Sequence, residues 1–182
     1  MRILNIIKYC FLVILFFTSC DKGNVYSPMT ASVQWNSVMI SCVSSSGTDL
    51  LLDESYVKKI NIHGMTSGRE LPFKINKLEN DGVERCYLSF KADLPNTKEM
   101  KFSDINNAVG TSIVDLKING LNLRLTCRFR YFCANKETIG ENSIVIESIK
   151  YNNKDVTRTD HEMYSDFVLH FVENNNIISL KD

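Results

Sequence analysis

The chain reads as an all-β protein, an antiparallel β-sandwich, and three observations point there. Short runs rich in β-branched and aromatic residues recur along it, turn-forming clusters separate them, and one Asn–Gly pair joins two runs that alternate apolar with polar. Hydrophobic residues make up 44% of the 182 and aromatics 10%, enough to build a real core.

The first element is a leader. Arg2 and Lys8 precede an apolar run from Tyr9 to Phe17, which ends in Thr18, Ser19 and Cys20. A basic start, a short apolar stretch and small residues at its end are the parts of a secretory signal. Nine apolar residues are too few for a transmembrane helix, which needs about 20.

Phe17, Thr18, Ser19 and Cys20 resemble a lipobox, the signature at which lipoprotein signal peptidase cuts before a diacylglyceryl-modified cysteine. Phe17 stands where that family usually has Leu. The resemblance implies residues 1–19 as signal peptide, lipid on Cys20, and residence in the cell envelope at the outer membrane. Residues 20–30 are polar and weakly patterned, as expected of a tether. Residues 31–182 suit a single domain.

Strands are expected over 31–43, 56–63, 69–78, 83–92, 111–118, 121–133, 143–151 and 163–173, with one short helix over 97–109, ended by Gly110. Asn119–Gly120 signals a two-residue hairpin. Pairing Ile118 with Leu121 sets Leu116 opposite Leu123 and Val114 opposite Leu125 on one face, and Asp115 opposite Arg124 on the other. Such pairs stabilise a sheet by roughly 0.2–1 kcal/mol each, and a one-residue slip would expose the whole apolar set.

If Cys10 leaves with the signal and Cys20 carries lipid, Cys42, Cys86, Cys127 and Cys133 remain. An even number in an exported chain predicts two disulfides, with free buried thiols as the alternative. Cys127 and Cys133 lie about 20 Å apart along an uninterrupted strand. Bridged cysteines need Cα atoms within about 7 Å. Each should therefore reach Cys42 or Cys86.

The stretch Ser46, Gly47, Thr48, Asp49, Leu50, Leu51, Leu52, Asp53, together with Tyr151, Asn152, Asn153 and Lys154, is similar to small uncharacterised lipoproteins of the Bacteroidetes type. That resemblance implies a β-sandwich, immunoglobulin-like or related, and no known chemistry.

Function is constrained mainly by what is missing. Without Arg2 and Lys8, 19 basic residues face 21 acidic ones, so the basic excess of a nucleic-acid binder is absent. Gly64, Met65, Thr66, Ser67 and Gly68 superficially match a nucleophile elbow, but Thr66 holds the central position and no helix follows; a glycine-bounded loop is the simpler reading. Asp160, His161, Glu162 and Asp166 read as a solvated loop rather than a metal site, and no cofactor motif occurs. His170, between Leu169 and Phe171, reads as a satisfied, partly buried histidine.

Two features suit a ligand face. Arg124, Arg128 and Arg130 alternate onto one side of a strand, as a wet face or as a basic stripe for an acidic glycan or protein. Trp35 alternates with Val33 and Met39, as a core aromatic or a sugar-stacking platform, the core being the expectation. The reading is a non-catalytic binding or structural module; a subunit of a fimbria-like or transporter-associated assembly and an envelope hydrolase are the alternatives.

Overall fold

A computed structural model describes residues 31–80, 83–104, 106–133, 142–156, 167–175 and 177–181. The strands are β1 (Val33–Trp35), β2 (Ser37–Ser44), β3 (Asn61–Gly64), β4 (Arg69–Glu70), β5 (Phe73–Asn80), β6 (Val83–Lys91) and β7 (Lys101–Phe102). They continue with β8 (Asn107–Ile118), β9 (Leu121–Cys133), β10 (Asn142–Tyr151), β11 (Lys154–Val156), β12 (Val168–Asn174) and β13 (Ile177–Leu180), while Glu54–Val57 forms the one α-helix among the described residues, α1. Strands make up 66% of the described residues, in two sheets, an all-β sandwich-like fold.

The hairpin of β8 and β9 is its longest ladder. Asn119 and Gly120 take φ values of 49° and 85°, the left-handed pair that a tight hairpin turn requires. The register runs Ile118↔Leu121, Leu116↔Leu123 and Val114↔Leu125, with Asp115↔Arg124 on the other face. The larger sheet grows outward from this pair in the order β1-β10-β9-β8-β3-β4, with β11 on β10 and β7 on β8; the smaller runs β13-β12-β2-β6-β5. Most pairs are antiparallel, but β1 lies parallel to β10 and β12 parallel to β2.

The inward faces make one core. Leu116, Leu125, Phe129, Ile144 and Ile149 from the larger sheet meet Val38, Ile40, Leu88 and Phe171 from the smaller. Stacked sheets lie about 10 Å apart, so these side chains fill the gap by interdigitation.

Four expected elements come out differently; the strand expected at 69–78 is split at Leu71–Pro72 into β4 of the larger sheet and β5 of the smaller. The run 31–43 is broken at Asn36, where the chain passes from the larger sheet to the smaller. Asn36 is 3% exposed; its Nδ2 donates to the Ala92 carbonyl at 2.7 Å, and the Ala92 amide donates to its carbonyl at 2.8 Å. The strand expected at 56–63 begins as α1, because Asp53 caps it by accepting from the Ser55 amide at 2.8 Å, and only 61–64 is extended. Lastly, the helix expected at 97–109 is absent. Asn96 caps no more than a single 3-10 turn, Thr97–Glu99, and β8 already starts at Asn107, with Ala108 fully buried against β7.

Candidate functional site on the outer face of the larger sheet

Alternation along β9 turns Leu123, Leu125, Cys127 and Phe129 inward and leaves Arg124, Arg128 and Arg130 exposed on the outer face. The three are not free charges. Arg124 grips Asp115 with two bonds, Nε to Oδ1 at 2.7 Å and Nη2 to Oδ2 at 2.8 Å. That grip holds the Asp115 carboxyl below its ordinary range, burial opposing. Arg128 donates from Nε to Glu147 Oε2 at 2.8 Å, and Arg130 donates from Nη2 to the other oxygen of the same carboxylate. Glu147 reaches both because β10 bulges there. Ile146 pairs with Phe129 and Ser148 with Arg128, leaving Glu147 as the extra residue.

Trp35 overturns the expectation of a core aromatic, being 61% exposed. The interior takes the even-numbered set, Val38, Ile40 and Cys42, while odd-numbered Val33 and Trp35 face out from β1. Strand pairing then sets Trp35 beside Val145, Val145 beside Arg130, and Arg130 beside Val109 in one row across four strands. The neighbouring row is Val33, Ser143, Phe132 and Asn107. The aromatic and the arginines, nearly a hundred residues apart in the chain, thus share one face. No local pattern announced this, because it depends on the parallel β1–β10 pairing.

The cysteines depart from the expected disulfides. Cys20 lies outside the described residues, as does the side chain of Cys133 at the end of β9. Cys42, Cys86 and Cys127 are free and buried. Cys127 points inward from the larger sheet and the other two from the smaller, and all three lie in the shared core without a bond between them. Extrapolated past Ile40↔Leu88, the β2–β6 ladder would set Cys42 opposite Cys86, but Asp49 intervenes. It bridges to Val43 and accepts the Cys86 amide at 2.7 Å. Burial pushes the Cys42 and Cys127 thiols up to about 12, so both stay protonated.

Asp49 and Asp53, quoted above for a resemblance, work as caps; Asp49 also accepts from the Leu51 amide at 3.0 Å. Glu173 ties the same end of the sandwich together, accepting from Tyr56 Oη at 2.6 Å and from Asn119 Nδ2 at 2.8 Å.

Two further places have chemical groups. The loop 64–68 joins β3 to β4 and walls a groove of about 520 Å³, lined also by Leu71, Pro72 and 91–97. Asp93, 7% exposed, accepts the Ser67 amide at 2.7 Å. It packs so closely that a Cβ on Gly64 would meet its Cγ at 2.5 Å. On the smaller sheet, Ser41 Oγ lies 2.6 Å from His170 Nδ1, which gives the half-buried histidine its partner. Asp160, His161, Glu162 and Asp166 lie outside the described residues. No family model, curated protein or solved structure matches the chain.

Proposed function

We propose that the chain is a lipid-anchored protein of the bacterial cell envelope, held at the outer membrane by acyl chains on Cys20, and that it works by binding rather than by catalysis. The observation that carries this reading is the leader: basic Arg2 and Lys8, a short apolar run, then Phe17, Thr18, Ser19 and Cys20. Two or three acyl chains, each contributing about 0.8 kcal/mol per buried CH₂, hold such a chain at a membrane. The binding part rests on the outer face of the larger sheet, where a large exposed aromatic shares rows with paired charges. Cys20→Ala should abolish labelling by a clickable fatty acid and leave an uncut leader. Equal labelling of the two proteins would contradict the anchor.

The hydrolase alternative has one observation in its favour, the Ser41–His170 pair. Against it, Ser41 is 4% exposed, and the charges felt by His170 are the cations Arg85 and Lys181, which oppose the imidazolium that a general base must become. A fluorophosphonate probe should leave Ser41 unlabelled; labelling that His170→Ala removes would favour the hydrolase. Assembly by strand addition draws less support. The long edge β5 carries exposed Lys74, Lys77 and Glu79, with Lys77 paired to Glu84 at 3.1 Å, and charged edges resist strand addition.

A further inference from the structure

We infer that the rows joining Trp35 to Arg130 form a subsite for an acidic glycan, a sugar ring lying on Trp35 and a uronate carboxylate over Arg128 and Arg130. This inference rests on the reading of that face as the binding surface and adds the class of ligand.

Shape comes first. Trp35, Val145 and Arg130 occupy adjacent strands in register, so Trp35 and Arg130 stand about 10 Å apart at ~4.8 Å per strand. That separation spans two successive units of a linear glycan, placing the stacked ring and the uronate one sugar apart. The whole patch, with Val33, Phe132 and Val109, spans about 14 Å across four strands. It is far smaller than the ~800 Å² that each partner buries in a standard protein interface. A linear glycan needs only such a strip. Its pyranose rings present flat faces of C–H bonds that pack on an indole, and Trp35 offers its ring at 61% exposure.

Charge selects the acidic kind. Arg128 and Arg130 share the single carboxylate of Glu147, which leaves one positive charge unbalanced. Each guanidinium has five N–H donors, and the two side chains stay 57% and 49% exposed. Glu147 accepts from one nitrogen of each fork, and the remaining N–H donors suit a second carboxylate, the group whose geometry a guanidinium matches. A surplus of one charge is too little for nucleic acid, where binding scales with many phosphate contacts. Arg124 has its charge balanced by Asp115 and lies further along β9, so it stands outside the subsite.

The test is retention of the detergent-extracted full-length chain on immobilised polygalacturonate and on neutral dextran. Polygalacturonate should retain the wild type, dextran should not, and salt should release it because exposed charges are screened beyond about 8–10 Å. Trp35→Ala and Arg130→Ser should each weaken binding roughly tenfold or more, the scale of losing an anchor residue. Arg124→Ser should leave it unchanged. All three positions are exposed, so thermal unfolding should be nearly unaffected and checks that the variants fold. Equal retention on dextran, full retention of the Trp35 variant, or no retention of the wild type would each overturn the inference. Fatty-acid labelling of the same preparation separates the two claims: a labelled chain that ignores polygalacturonate refutes the ligand class and leaves the anchor standing.

Discussion

Burial, together with Arg85 and Lys181, holds the His170 imidazole below its ordinary value of 6.5. As pH falls through that value the unfolded chain takes up a proton while the folded chain stays neutral. The unfolded state then binds more protons, so stability drops with pH until the folded histidine titrates as well. Urea unfolding between about pH 7 and pH 5 should show this slope, and His170→Gln should flatten it. An unchanged slope in the variant would assign it to another group. At this scale much was legible: the Asp115–Arg124 pair followed from alternation and one turn, and it forms through two hydrogen bonds, from Nε and Nη2. Glu147 was not. Its position depends on a bulge, which arises from the mismatch of two paired strands rather than from either sequence alone.

Among the elements, the Asn119–Gly120 hairpin carries the strongest local code, and the structure keeps its register residue for residue. Gly120 has φ of 85° and open space where a Cβ would go, so Gly120→Ala meets only backbone strain. It should cost about 1–2 kcal/mol in urea unfolding. A neutral substitution would mean that the turn relaxes to another type. Two of the misread elements share a cause. Asn36 and the segment 92–100 are places where the chain crosses between sheets, and burial there is decided by partners distant in sequence. Segment 97–109 was expected as a helix ended by Gly110, but the ladder with β7 and β9 overrode it from Asn107 onward. At Asn36, removing the side chain by Asn36→Ala would leave the Ala92 carbonyl buried without its donor, at a cost of about 1–3 kcal/mol.

For the whole molecule, the sandwich stands without disulfides among its described residues, although four cysteines in a chain read as exported predicted two. The counting rule failed because it counts cysteines without placing them, and Asp49 stands between the two nearest in register, Cys42 and Cys86. With two thiols held near 12 and all three buried, native Cys42, Cys86 and Cys127 should resist iodoacetamide and react fully, without reductant, once the chain is unfolded. Mass spectrometry of unreduced peptides gives the answer directly, and a linkage involving any of the three would contradict it.

The claim that binding occurs on the outer face of the larger sheet meets its most direct test in fluorescence, because Trp35 is the chain's single tryptophan. Acrylamide carries no charge, so its quenching reports access to the indole without bias from Arg128 and Arg130. In the free chain, quenching should be efficient, as expected for a side chain 61% exposed. Adding oligogalacturonate should protect the indole, and raising the salt should restore quenching. A weakly quenched indole in the free chain, or one left equally accessible at every sugar concentration, would contradict the account.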